Sequence, residues 1–242
     1  MIRQPLQDWC GTALVVGGGG IGRALVSALG QMAPGLQVQL ATRNPCHGGE
    51  LRLDLCDDAS LDALREHAVR HLNDLRLVLN TAGLLHGPQL QPEKRLASVT
   101  RQQLRQSFEL NAYGPILLAR SLEPAMSRTQ PSHFASLSAR VGSIGDNRLG
   151  GWYGYRAAKA AQNQLLHTLA IEWSRRLPLC CVSALHPGTT ATALSEPFRG
   201  SVPPHRLFAP QQAAEALLQV LQQLGPDQSG GFWAWDGSAI PW

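Results

Sequence analysis

Tyr155 and Lys159 stand four residues apart, and side chains at that spacing stack on one face of a helix. A tyrosine free in water has a pKa of ~10 and is a poor acid or base at neutral pH. An ammonium beside it favours the phenolate. A tyrosine so tuned can give a proton to a carbonyl oxygen as hydride reaches the carbon. A lone pair at this spacing also arises by chance in amphipathic helices, so the chemistry needs independent support elsewhere in the chain.

A second group of residues offers it. Gly17-Gly18-Gly19-Gly20-Ile21-Gly22 contains G-x-G-x-x-G at Gly17, Gly19 and Gly22. The first glycine of such a motif permits a tight turn, the second lets backbone approach a pyrophosphate, and the third lets helix and strand pack closely. The helix start, around Gly20 and Ile21, then presents free N–H groups to phosphate. Without a ligand the same run is only a glycine-rich turn, but a β-rich run precedes it and a helical pattern follows.

The identity of the dinucleotide turns on the end of the next strand. NAD enzymes usually carry an acid there for the ribose 2′-hydroxyl, whereas this chain reads Ala41-Thr42-Arg43-Asn44. Arg43 suits a 2′-phosphate, which a guanidinium grips through two parallel bonds. NADP(H) is therefore favoured and NAD(H) stays open. Asp54 and Leu55, closing a third strand, are placed to meet the adenine edge; a turn role for Asp54 near Asp57 is the plainer alternative.

The elements that must position these residues follow from hydrophobic periodicity. Strands are expected at Thr12–Val16, Leu36–Thr42, Leu51–Leu55, Leu75–Asn80, His133–Ser138, Leu179–His186 and Gly231–Trp235. Helices are expected at Arg23–Gln31, Leu61–His71 with Ser60 as cap, Thr100 to about Met126, Tyr153–Arg176 and Pro210–Leu224. This alternation predicts one α/β domain over 1–242, a doubly wound parallel sheet covered by helices on both faces. Gly142–Gly151 and Thr189–Pro210 read as loops, the second as a lid over a substrate.

Composition narrows the class. The chain has 242 residues, a formal net charge of +4 and 44% hydrophobic residues. The basic residues are scattered, so nucleic-acid binding is not expected. Five cysteines without C-x-x-C spacing predict neither a disulfide framework nor a metal site, and Cys180 and Cys181 lie in an apolar run that suits buried thiols. Met1–Cys10 lacks the apolar core of a leader, and no apolar run approaches the ~20 residues that cross a bilayer. A cytoplasmic protein without a membrane partner is the simplest expectation.

Taken together, the set resembles the short-chain dehydrogenase/reductase family over nearly the whole chain. Asn80-Thr81-Ala82-Gly83 looks like the family's NxAG stretch, with Asn80, Ala82 and Gly83 lining the cofactor pocket. Asn111 resembles the helix asparagine that supports a water relay behind the lysine. Pro187-Gly188-Thr189 resembles the segment that holds the nicotinamide carboxamide. Arg140 to Tyr153 is similar to the C-factor-like branch, which groups with sniffer-type carbonyl reductases. The resemblance implies a Rossmann fold and a small carbonyl or alcohol substrate. It also implies Tyr155 as proton donor, Lys159 as its partner on the nicotinamide ribose, and a homodimer or homotetramer. Leu165, Leu166, Leu169 and Trp173 could serve such an interface, and an aromatic tail from Phe232 to Trp242 is a second option.

Two departures from the family pattern bear on function. Val16 stands where the first glycine turn usually has threonine, and the loop is one residue short. The position of the catalytic serine holds Ala139, so Ser138, Ser143 or no serine completes the set. Substrate walls are expected from Leu84–Gln89, Arg148–Tyr153 and Thr189–Phe208. They offer Leu85, Leu149, Trp152, Leu194, Phe198 and Phe208, with His86, Arg148, Arg199 and His205 as polar options. An oxidoreductase acting on a ketone, aldehyde or alcohol is the leading expectation. A nucleotide-binding regulatory or signalling protein with weak or no turnover is the alternative.

Overall fold

The computed structural model describes residues 5–72 and 74–242. Residues 1–4 of the expected leader-free N-terminus lie outside the described residues. Among the described residues, nine strands and six α-helices follow one another: β1 (Gly11–Val16), α1 (Gly20–Met32), β2 (Leu36–Thr42), β3 (Leu51–Arg52), α2 (Asp58–His71), β4 (Leu75–Asn80), α3 (Arg101–Phe108), α4 (Gly114–Leu122), β5 (Ser132–Leu137), α5 (Tyr153–Arg176), β6 (Cys180–His186), β7 (Thr189–Thr190), β8 (Leu207–Phe208), α6 (Pro210–Gln223) and β9 (Gly231–Ala234). Seven strands form one parallel sheet in the order β3-β2-β1-β4-β5-β6-β9. The predicted doubly wound α/β architecture is what forms.

Strands buried on both faces read as continuous apolar runs, and β1, β4 and β6 are buried along almost their whole length. One core lies between the sheet and α2, α4 and α5, where Phe134 meets Trp173 edge to face. The other lies against α1 and α6. Leu166, Leu169 and Trp173 all belong to the first core. These three residues of the α5 stripe therefore cover the sheet, while Leu165 is only half-buried and belongs to neither core. Phe232 is likewise buried in that core, and Trp242 stacks on it.

Several local expectations change. Asp57 caps α2 by accepting from Ala59 N, whereas the Ser60 hydroxyl accepts from Asp54 N. The third strand stops at Arg52 rather than Leu55, leaving Leu53–Leu55 to turn into the cleft. The single helix expected from Thr100 is broken by a widened turn at Glu109–Tyr113, where Gly114 N bonds back to Glu109 O. Pro115 has no N–H for a regular helical bond, and such widened turns relieve that mismatch and recur at functional sites. The Thr189–Pro210 segment, expected as a loop, contains a short parallel pairing of β7 with β8 and two 3₁₀ turns.

The end of the sheet opposite the glycine turn is held by an unusual stack. Arg76 lies 4.3 Å above the Trp9 ring, and the buried His133 stacks on the same ring at 5.4 Å. Burial, with the Arg76 charge beside it, pushes His133 down to about 4. The unfolded chain takes up this proton near pH ~6.5, so the unfolded state gains protons first as pH falls. Stability is thus expected to drop between about pH 6.5 and 4, by on the order of 3 kcal/mol. Thermal melts across that range should show the loss. His133→Phe, which keeps a ring against Trp9, should flatten it; an unchanged slope would contradict the assignment.

Candidate active site

The chain order reverses between β1 and β4, and crevices outside the carboxyl ends of strands at such a point are where open α/β sheets take ligands. A cleft of about 1540 Å³ opens there. Its floor begins at the glycine turn. Gly17 has φ +107°, a left-handed conformation that favours glycine. A Cβ on Gly22 would stand 1.9 Å from Gly17 O, so helix and turn touch through bare backbone. Gly19 caps α1 without a side-chain bond, and nothing lies within 4 Å of where its Cβ would point. The N–H groups of Gly20, Ile21 and Gly22 are the first three of the helix, which have no helical acceptor, and no acidic residue sits in that turn.

Thr81 is a functional neighbour that the sequence reading passed over. Its Oγ1 lies 2.9 Å from Val16 O and 3.2 Å from Gly17 O. A hydroxyl from the adjacent strand thus braces a turn whose own strand ends in valine. Only the parallel pairing of β1 with β4 brings the two together.

Arg43 is exposed on the cleft wall and makes no ion pair or hydrogen bond among the described residues. Asp54 and the buried Leu55 line the same end, with Asp54 Oδ1 accepting from Cys56 N at 3.0 Å. Ala82, Gly83, Pro187, Gly188 and Thr189 line the cleft. Asn80 does not. Its amide donates to Ser136 Oγ at 2.9 Å and its Oδ1 accepts from Ala82 N at 3.2 Å, so it shapes the turn from beneath. An open backbone corner with free N–H groups, a free guanidinium at one end and no acid on the second strand together fit a phosphorylated dinucleotide.

Tyr155 and Lys159 come from the start of α5 and are both buried. Lys159 Nζ lies 5.8 Å from the centre of the Tyr155 ring. Burial pushes the Tyr155 phenol up and lowers Lys159 to about 7. The expected lowering of the tyrosine by the lysine is thus outweighed here by desolvation, which disfavours both charged forms. Asn111 sits in the widened turn, fully buried, and exchanges two hydrogen bonds with the Leu84 backbone at 2.7 and 2.9 Å. Gly83 lies between them, its Cβ position being 3.4 Å from Asn111 Oδ1 and 3.9 Å from Lys159 Nζ.

The two serines separate cleanly. Ser138 lies just past β5, lines the cleft, and donates to Asn163 Oδ1 at 2.7 Å. Ser143 is buried outside the cleft, where its Oγ accepts from Asp146 N at 3.1 Å. Buried Glu93 is another residue without a sequence signal. Its Oε2 accepts from Gly154 N at 3.1 Å and its main-chain oxygen from Trp152 N. The carboxylate complements the positive end of α5, and the main-chain oxygen is the acceptor for Trp152, whose φ is +51°.

Trp152, expected as a substrate wall, lines the cleft, packing 6.3 Å from the Tyr155 ring and 5.0 Å from Phe198. Leu85 and Leu194 continue it. Other expected wall residues turn elsewhere. Leu149 is 92% exposed, Phe208 packs on Trp235, and Arg199 donates to the Thr192 carbonyl of the same loop. His86 supports Phe198 from behind, and Arg148 and His205 do not line the cleft.

A glycine corner and a buried Tyr–Lys pair on one doubly wound sheet define a dinucleotide-dependent oxidoreductase. Residues 11–201 match the short chain dehydrogenase family. The chain is 30% identical to 1-hydroxy-2-glutathionyl-2-methyl-3-butene dehydrogenase of Rhodococcus sp. (strain AD45) over 192 residues, 78% of each protein. It is 29% identical to C-signal of Myxococcus xanthus, over 61% of this chain and 83% of that one. Among solved structures, the carbonyl reductase Sniffer of D. melanogaster superposes with a TM-score of 0.83 at 25% identity, covering 97% and 100% of the two chains. An NADPH-bound carbonyl reductase from chicken fatty liver gives 0.84 at 22% identity, covering 96% and 99%. The chain belongs to the short-chain dehydrogenase/reductase family of NAD(P)-dependent oxidoreductases. No described helix is long and apolar enough to cross a membrane.

Proposed function

We propose that this protein reduces an apolar ketone or aldehyde with NADPH, or runs the reverse oxidation. The observation that carries this reading is the buried Tyr155–Lys159 pair facing the same cleft as the glycine corner. What a bound dinucleotide contributes is hydride transfer at carbon. The N–H groups of Gly20, Ile21 and Gly22 would bind its pyrophosphate and Arg43 its 2′-phosphate, while Asp54 and Leu55 would border its adenine. Gly83 and Pro187–Thr189 would border its nicotinamide end, with Lys159 the residue that would bind the ribose hydroxyls.

Tyr155 is the proton donor. Burial keeps its phenol protonated through the neutral range, which suits reduction; oxidation needs the phenolate and should accelerate as pH rises. Asn111 holds the Leu84 backbone at the back of the site, where water can return the proton. Ser138 is the remaining candidate for polarising the carbonyl. Its proton goes to Asn163 Oδ1; a half-turn of that amide would present Nδ2 to Oγ and free the hydroxyl proton for substrate. The buried Asn163 Nδ2 has no partner of its own, which favours such a rearrangement.

Calorimetry with NADPH and NADH, followed by a carbonyl panel, tests the proposal. Arg43→Ala should weaken NADPH binding at least tenfold and leave NADH binding nearly unchanged, since only one ligand carries the 2′-phosphate. Ser138→Ala should lower kcat by about 10²–10³, whereas Ser143→Ala should leave kcat within a few-fold. A second reading, a nucleotide-binding signalling protein, draws on the similarity to C-signal and on the tied hydroxyl of Ser138. Tight NADPH binding without turnover across the panel would favour it.

A further inference from the structure

Gln162 lies one turn beyond Lys159 on α5 and has no exposed surface. An amide buried that deeply is costly unless it is bonded, and this one is bonded at both ends. Its Oε1 accepts from Lys159 Nζ at 2.8 Å. Its Nε2 donates towards Ser136 Oγ at 3.1 Å and Leu137 O at 3.2 Å. Leu137 O also accepts from Lys159 Nζ at 2.8 Å, which closes a ring of lysine, glutamine and main chain. Ser136 Oγ in turn accepts from Asn80 Nδ2, and Asn80 Oδ1 holds the Ala82 N–H of the cleft-lining turn. An ammonium has three donors. Two of them point inward at Leu137 and Gln162, so one is left for the cleft.

We propose that Gln162 is a positioning residue for this site: it aims the Lys159 ammonium at the cleft, keeps it charged, and ties it through Ser136 and Asn80 to the turn at Ala82. The functional half of this inference rests on the reading of Tyr155 and Lys159 as the reacting pair.

Among the described residues, the groups that other elements bring to Nζ are uncharged: Leu137 O on β5, which accepts from it, and the Gly83 backbone after β4, with the Asn111 amide on the far side of Gly83. Tyr155, on the same helix, is the titratable neighbour. Burial is the cause of the lysine's depression to about 7, and no carboxylate opposes it. The Gln162 carbonyl is therefore the side-chain acceptor on which the charged form depends, and exchanging it should move the lysine's titration in a direction set by the replacement.

Two substitutions in the full chain make opposite demands. Gln162→Glu places an anion within 3 Å or so of Nζ and should raise the Lys159 titration by one to three pH units. Gln162→Leu removes the acceptor and should lower it by about one unit or more. The Lys159 Nζ signal is followed by NMR in the cofactor-free protein, with Lys159→Met identifying it. The NADPH dissociation constant is then measured by calorimetry from pH 5.5 to 9.5. The proposal expects the alkaline loss of NADPH affinity to move with the NMR titration, upward in one variant and downward in the other. Shifts in the same direction, or none, overturn it. If Gln162→Leu fails to fold, the nearly isosteric Gln162→Glu decides alone, because its titration must rise. Opposite NMR shifts without any change in NADPH affinity would overturn the positioning role. A wild-type chain that binds no NADPH would instead overturn the reading beneath it.

Discussion

Tyr155→Phe is expected to lower kcat for carbonyl reduction by about 10²–10⁴-fold, the range associated with a positioned general acid. The ring itself is held by Trp152 on one side and by the helix on the other, so removing one oxygen leaves the packing in place. NADPH affinity and melting temperature should therefore stay close to wild type. That combination distinguishes a proton donor from a wall residue, since Trp152→Ala should raise KM with a smaller change in kcat by removing contact with substrate. The pH dependence follows from the direction of the tyrosine shift. Burial holds the phenol protonated, so the reductive kcat should stay flat through neutral pH on account of this group, while the oxidative kcat rises with pH. Retained turnover in Tyr155→Phe would remove Tyr155 as the proton donor and assign the acid to another group.

Gly22→Ala is the second large effect. The new Cβ would lie 1.9 Å from Gly17 O and 2.9 Å from Thr81 Oγ1, and the nearer atom is backbone that cannot swing aside. Relief requires α1 to move off the end of β1, which opens the corner that its first N–H groups form. NADPH binding should fall at least 100-fold. Overpacking of this kind typically costs about 1–3 kcal/mol, which lowers the melting temperature of a chain this size by several degrees. Gly19→Ala makes the contrast. Nothing lies within 4 Å of its Cβ position, and its φ is −77°, so the fold should melt as before. The methyl would nonetheless stand in the path of the pyrophosphate and weaken NADPH. Equal melting temperatures and equal affinities for both variants would dissociate the glycine turn from the cofactor.

Much of this site was legible because its residues are close in sequence. The spacing of Tyr155 and Lys159 fixes their shared helix face, and Gly17, Gly19 and Gly22 act within one turn. Arg43 follows directly from the end of β2, which sets it on the cleft wall. The order of apolar runs was enough to specify a parallel doubly wound sheet, because right-handed crossovers leave few alternatives.

What the local pattern missed are contacts made across the fold. The pairing of β1 with β4 sets Thr81 against the glycine turn, and Glu93 reaches Gly154 across 61 positions of sequence. Ser138 and Ser143 are alike in sequence terms; the end of β5 turns one towards the cleft, and the following 3₁₀ turn buries the other. Gln162 and Asn163 look like ordinary polar residues on a helix, yet packing of α5 against β5 buries both under the site. The sign of the tyrosine shift was also a tertiary matter, since desolvation depends on everything that surrounds the pair. Sequence by itself determined the fold class, the glycine corner and the Tyr–Lys face, because those follow from short-range geometry. Only the tertiary structure decided which serine faces the cleft, how the lysine is held and what surrounds the phenol, because buried polar groups take their partners from whichever strand or loop folds against them.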